Sequence, residues 1–345
     1  MNFISKTSPY IRNNDSSVTT MMKNVVKALI PVTLCAIYFY RLEFILTLLV
    51  SFLSIVGVEY LVYRLLKQES TLYNRTAVIT SLIYALILGA GTPLWIVFVG
   101  GAFATIFGKL VFGGMGNNIF NPAAIGRVFV LISFGAVLPN AADAGVFNAV
   151  IDGATSATPL GALAGDGDIT STFATLKNNY SISDLLVGRT PGAYGESFSL
   201  AIILGGIYLI YTKAADYRII ASALFMFILA SILFALTKDL TIDFVVYQLL
   251  LGGLLFGIVF MATDPVTAPV TPPGRIVYGL MIGGLTFTIR MIGAYPEGMI
   301  FAILLMNMFA PLLDFSQWSS QSINKNWKIT ITITIIIFSL IAIVA

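Results

Sequence analysis

Apolar residues fall along the chain in long runs, and the intervals between those runs set its architecture. A first set lies near residues 25–40, 44–63, 77–91, 94–112 and 120–138. After a polar interval, a second set lies near 198–212, 219–236, 246–263, 276–290 and 296–313, and a last run lies near 328–345. Such runs predict helices, because a bilayer core of about 30 Å lets backbone polar groups pair only within their own segment. The expected fold is therefore an all-α polytopic membrane protein of about ten transmembrane helices in two five-helix halves, with an additional C-terminal span. Its expected divisions are a tail at 1–23, a first half at 24–138, a polar loop at 139–197, a second half at 198–314, and a linker with the extra helix at 315–345. Several runs are shorter than the roughly 20 residues that a straight span needs, which predicts helices broken or shielded inside the bundle.

Three breaks rich in Gly, Pro and Asn interrupt the runs, at 113–122, 263–275 and 293–298. Irregular backbone at membrane depth survives where protein or a wet cavity satisfies it, so these breaks are candidate cofactor contacts or ion-path elements, with simple connecting turns as the alternative. The stretch from Ile96 to Lys109 also resembles that from Ile276 to Arg290, each preceded by a Thr-Pro turn and followed by a Gly-containing break. Read as an inverted repeat, this pair would place a binding site near a pseudo-symmetry interface. Chance likeness between Gly- and Ile-rich helices is the competing reading.

Composition narrows the class. Hydrophobic residues make up 58% of the chain and charged residues 10%, with a mean hydropathy of +0.92, whereas soluble domains carry about 25% charged residues. The formal net charge is only +3 and the cations stand singly beside apolar runs, which excludes a nucleic-acid partner and leaves membrane lipid as the surrounding medium. One cysteine, Cys35, and no histidine exclude disulfides, a self-contained Cys-ligated iron–sulfur cluster and His-ligated haem within the chain. No metal site is expected. Of the 19 Lys and Arg residues, fourteen fall on the side that the positive-inside rule assigns to the cytoplasm, and five (Arg41, Lys177, Arg189, Lys238 and Arg290) fall on the other. The N-terminus is thereby expected in the cytoplasm, and the 139–197 loop outside a bacterial-type cytoplasmic membrane.

Within the spans, ionisable groups are functional candidates by default. Glu59 is the ion-path candidate, with a buried pair to a nearby cation as the alternative. Lys109, Arg127 and Arg290 sit near span ends and are expected to snorkel toward the interface. The polar loop contains Asp152-Gly153-Ala154-Thr155-Ser156-Ala157-Thr158, a small, hydroxyl-rich island that on its own reads as an Asx or Ser/Thr turn capping a short helix.

With those residues in view, the chain resembles the RnfD members of the NqrB/RnfD family, membrane subunits of the ion-translocating ferredoxin:NAD oxidoreductase. The resemblance rests on Ser8-Pro9-Tyr10-Ile11-Arg12, Gly116-Asn117-Asn118-Ile119-Phe120-Asn121-Pro122-Ala123-Ala124, Gly192-Ala193-Tyr194-Gly195-Glu196, Tyr295-Pro296-Glu297-Gly298 and Met306-Asn307. It covers the chain up to about Asp314. The family's flavinylation signature maps onto Asp152, Thr155, Ser156, Ala157 and the acceptor Thr158, with Ser156 where Gly is more usual. The resemblance implies covalent FMN held at Thr158 as a phosphoester, installed by a flavin transferase, and a noncovalent riboflavin between the spans. Arg189 would contact the flavin from the Gly188-to-Glu196 loop, with a solvated loop charge as the alternative. The implied partners are the iron–sulfur and flavin subunits of an Rnf-type complex, and the implied activity is electron relay between ferredoxin- and NAD-linked subunits coupled to Na⁺ or H⁺ export. The chain alone would then hold no complete active site and no catalytic acid or base. Two other readings remain: an NqrB-like subunit of a Na⁺-pumping NADH:quinone reductase, against which the short N-terminal tail argues, and a stand-alone channel or transporter.

Overall fold

A computed structural model describes residues 18–67, 75–138, 169–188, 190, 192–196, 198–293, 298–315 and 325–345. The Asp152–Thr158 motif and Arg189 lie outside the described residues. No strand occurs among the described residues, apart from one isolated antiparallel bridge between Gly89 and Ala193.

Helix α1 covers Val18–Phe52 and passes through a π-helical turn, Leu53–Gly57, into α2, Val58–Leu65. At Arg41 the backbone takes φ 49° and ψ −126°, and the chain reverses there. The contacts show the reversal: the Tyr208 hydroxyl donates to Asn24 Oδ1 at 3.3 Å and Met22 borders the same cleft as Lys109, the partner of Glu59. Glu43, just past Arg41, accepts instead from the Tyr194 hydroxyl at 2.7 Å, at the opposite end of the bundle. The two runs expected at 25–40 and 44–63 are thus the arms of one hairpin.

The rest of the first half is α3 (Thr76–Ile87), α4 (Leu94–Thr105) prolonged by a π-helical turn at Ile106–Leu110, and α5 (Pro122–Phe134). Two helices of the polar interval follow, α6 (Ile169–Asn179) and α7 (Ile182–Val187), the latter closed by a Ser181–Asp184 capping box and by Gly188 at φ 86°. The second half comprises α8 (Ser199–Tyr211), α9 (Tyr217–Thr237), α10 (Asp243–Leu250), α11 (Leu254–Phe256) with its π-helical continuation Gly257–Met261, α12 (Pro272–Ile292) and α13 (Gly298–Phe315). Helix α14, Lys325–Val344, ends the chain.

Among the described residues, four helical stretches are long and apolar enough to cross a membrane: Val18–Leu65, which Arg41 divides into two arms, Tyr217–Thr237, Pro272–Ile292 and Asn326–Val344. A fifth candidate is the broken span of α10 and α11, bent by 61°. The remaining apolar helices are shorter. This is a multi-pass membrane architecture, assembled through close backbone contact. On α12, a Cβ added at Gly283 would stand 2.2 Å from the Ala223 carbonyl of α9, so glycine there lets the two backbones touch, as small residues do between membrane helices. Helix α14 packs on α9 and α12, and its Phe338 ring fills the notch left by Gly284, where a Cβ would lie 2.3 Å from the ring. Helix hydroxyls such as Thr105 Oγ1, which donates to the Gly101 carbonyl at 2.9 Å, are satisfied within their own helices.

Candidate functional site

One end of the bundle opens into a cleft where α1 and α3 begin, α4 and α8 end, and the break after α11 starts. It encloses about 780 Å³ of empty space including its mouth, of which only about 80 Å³ is wide enough for the centre of a water molecule. Most of this cleft, called the slot below, is narrower than a water molecule. Ile79, Ile83, Val259 and Phe260 give it apolar walls, and Phe260 is the one aromatic ring among its described lining residues. Thr76, Thr80, Lys109, Asn118, Asn121, Thr263 and Asp264 supply the polar groups. Apolar walls with a few convergent polar groups are the usual make-up of a small-molecule site.

Local chemistry builds each wall. Asn121 caps α5: Ala123 N–H and Ala124 N–H donate to its Oδ1 at 3.1 and 3.4 Å, while Pro122 holds the first helical position, where its missing N–H costs nothing. The turn is anchored from behind by Asn307 on α13. With its amide oxygen accepting from Asn121 N–H at 3.0 Å, its nitrogen donates to the Tyr278 hydroxyl at 2.7 Å and to the Ile303 carbonyl at 3.3 Å. Asn118 Nδ2 donates to the Phe120 carbonyl at 3.0 Å. On the facing wall, Val266 N–H and Thr267 Oγ1 donate to Asp264 at 3.2 and 3.3 Å. Desolvation pushes the Asp264 carboxyl above the ordinary carboxylate range.

Lys109 and Glu59 form the charged end of the slot. Lys109 Nζ donates to both Glu59 carboxylate oxygens at 2.8 Å and to Thr76 Oγ1 at 3.1 Å. Glu59 is 0% exposed and Lys109 4%. The buried pair that stood as the alternative for Glu59 is thus present, and snorkelling is overturned for Lys109, Arg127 (4% exposed) and Arg290 (1% exposed). Their positions near run ends do not bring them to water, because neighbouring helices cover those ends. Arg290 caps the break of the α10–α11 span, donating from Nη1 to the Gln248 carbonyl at 2.7 Å and from Nη2 to the Leu251 carbonyl at 3.2 Å.

All three π-helical turns among the described residues adjoin this region. Leu53–Gly57 ends two residues before Glu59, Ile106–Leu110 carries Lys109, and Gly257–Met261 carries Val259 and Phe260. Such turns recur at functional sites because they shift which side chains face inward. Two of the three breaks read from the sequence also border the slot, through Asn118 and Asn121 and through Thr263 and Asp264. Asn121 and Asp264 are site residues that the sequence did not single out, although an Asn-Pro cap and a lone acid amid apolar runs were the signals. The 193–196 segment is pinned away from the slot, with Tyr194 N–H donating to the Leu88 carbonyl at 3.2 Å and the Tyr194 ring edge-on to Tyr40 at 4.8 Å.

The NQR2, RnfD, RnfE family matches residues 4–321 of the chain. The D subunit of the Na(+)-translocating ferredoxin:NAD(+) oxidoreductase complex of Acetobacterium woodii is 35% identical over 316 residues, 91% of this chain and 93% of that protein. The D subunit of the proton-translocating ferredoxin:NAD(+) oxidoreductase complex of Clostridium ljungdahlii is 32% identical over 314 residues, 90% of this chain and 93% of that protein. The B subunit of the Na(+)-translocating NADH-quinone reductase of Chromohalobacter salexigens is 39% identical over 246 residues, but the match covers only 70% of this chain and 58% of that protein.

Proposed function

The chain belongs to the NQR2, RnfD, RnfE family, and on that premise we propose that it is the D-type membrane subunit of an ion-translocating ferredoxin:NAD oxidoreductase, holding one flavin in the slot and a second, covalent, at Thr158. Coverage of 93% of the ferredoxin-linked relative, against 58% of the quinone-linked one, favours the ferredoxin-linked complex over its quinone-linked sister. The coupling ion is not carried over from relatives, since one is named for Na⁺ and the other for protons.

The observation that carries the reading is the slot itself. A narrow, apolar-walled cleft with amide, hydroxyl and carboxyl groups among its lining residues supports a site for a planar ring with hydrogen-bonding edges. Ile79, Ile83 and Val259 would sandwich the ring, and Asn118, Asn121 and Asp264 would hold its polar edges. When bound there, the flavin supplies one-electron chemistry that no side chain of this chain can. The protein's own residues orient it, exclude water and set the charge around it. Thr158 would keep FMN as a phosphoester on the outer face, so that the cofactor stays with the membrane, and electrons would pass between iron–sulfur and flavin subunits of the complex. Expressed with its flavin transferase, the chain is expected to give a fluorescent flavin band in a denaturing gel. Thr158→Ala should abolish that band, and undiminished fluorescence would remove Thr158 as the acceptor.

A further inference from the structure

We propose that α1 and α8 together form a site for an anionic phospholipid, its phosphate held by Lys23, Lys27 and Lys213 and its acyl chains laid along the exposed apolar faces of the two helices. The site lies outside the slot and does not depend on what the slot holds.

Lys23 and Lys27 stand one turn apart on α1, and Ile30, Leu34 and Tyr38 continue the same face at helical spacing. All five are exposed. On α8, Leu204, Ile207 and Tyr211 make a second exposed face, and the exposed Lys213 closes the helix at φ 56°. The two faces adjoin, because the helices touch along the line between them. A Cβ on Gly205 would stand 3.0 Å from the Ala28 carbonyl, and the Tyr208 hydroxyl donates to Asn24 Oδ1 at 3.3 Å. That hydrogen bond also fixes the register: the end of α8 lies level with the start of α1, so the three lysines gather at one end of the paired helices.

Charge and position select the ligand. Among the described residues no carboxylate pairs with Lys23, Lys27 or Lys213, so three positive charges at the head of an apolar groove are left for an anion to meet. Free phosphate would gain nothing from the groove. A phospholipid uses both parts: its phosphate meets the ammonium groups, whose flexible stems reach the interface, and its chains cover the aliphatic stripe. Tyr211 sits beside the lysines, at the level where aromatic side chains line a membrane surface. The cation distribution assigns this end of the bundle to the cytoplasm, the side on which the leaflet carries anionic lipid. On the inner side of the same helices, Met22, Val25, Leu209 and Ala214 line the slot. A lipid that bridges α1 and α8 from outside therefore braces one wall of the slot.

The test uses the full-length chain, stripped of lipid in a neutral detergent, and follows its melting temperature as phosphatidylglycerol, phosphatidylcholine or inorganic phosphate is added. Phosphatidylglycerol should raise it by several degrees, as a ligand of the folded state does, whereas the neutral lipid and free phosphate should not. Equal gains with phosphatidylcholine would overturn recognition by charge, and equal gains with inorganic phosphate would overturn the lipid assignment in favour of a soluble anion. Lys23→Gln/Lys27→Gln/Lys213→Gln should lose the phosphatidylglycerol gain while its lipid-free melting temperature stays put, and Lys23→Arg/Lys27→Arg/Lys213→Arg should keep the gain. A gain retained in the first variant would overturn the site. Arg64→Gln/Lys67→Gln/Lys328→Gln removes three exposed cations elsewhere and should leave the gain intact; a loss equal to that of the first variant would mean a response to net charge alone, which also overturns the site. In the assembled complex, amine-to-carboxylate cross-links from Lys23, Lys27 or Lys213 to another subunit would give this face to a protein partner and contradict the proposal.

Discussion

The chain buries two cations near the ends of helices that resemble each other in sequence, and the two are held in opposite ways. Lys109, beyond α4, rests on a side-chain carboxylate and a hydroxyl at the slot. Arg290, in the last turn of α12, forks onto two backbone carbonyls at the break of the α10–α11 span, and its guanidinium lies 5.2 Å from the centre of the Phe227 ring. Arg290 donates to two carbonyls of the broken span, so that cation serves as a structural cap. At Lys109 the acceptor is a full negative charge rather than a pair of carbonyl dipoles. The same buried positive charge therefore caps open backbone at one end of the bundle and neutralises a buried carboxylate at the other.

Mutations that interchange these two conditions should show it. The largest effect is expected for Glu59→Ala, which strands a buried ammonium and should lower stability by about 3–5 kcal/mol, measured as a fall in melting temperature in detergent. Arg290→Lys keeps the charge but cannot fork onto both carbonyls, and about 1–3 kcal/mol should be lost for the one left bare. Lys109→Arg keeps the charge on Glu59 and should cost less than that in stability, read as a smaller fall in melting temperature. Tyr278→Phe, which deletes a contact behind the Asn121 turn, should lose about 1 kcal/mol and weaken retention of noncovalent flavin during purification. Lys177→Ala breaks a pair with Asp243 in which the side chains are 46% and 32% exposed, and no change in melting temperature is expected.

Helices were legible in the sequence because a membrane forces an unambiguous code, and each apolar run contains helix among the described residues, although the 77–91 run leaves helix after Ile87 and the 246–263 run is broken at 251–253. The Arg41 hairpin was legible too, since the charged pair Arg41 and Glu43 between two apolar runs marks a turn at the surface. Side-chain partners were not. Glu59 and Lys109 are 50 residues apart in sequence, and each follows or sits within a π-helical turn that shifts it off the regular 3.6-residue spacing. Arg127 and Arg290 were misplaced for a different reason: distance from a run end says nothing about which neighbour covers that end. The slot was half visible, as Gly/Pro/Asn breaks whose convergence only the fold supplies. The flavinylation motif is the reverse case, read from sequence but lying outside the described residues.

The account stands or falls on whether the slot binds flavin independently of Thr158. Acid extraction of the purified Thr158→Ala chain measures this directly, because a phosphoester-linked flavin would no longer be present to confuse it. The expected result is about one extractable flavin per chain, falling sharply when Ile83→Trp is added to fill the slot. Extracts without flavin, or with the same amount in the Ile83→Trp protein, would contradict the assignment.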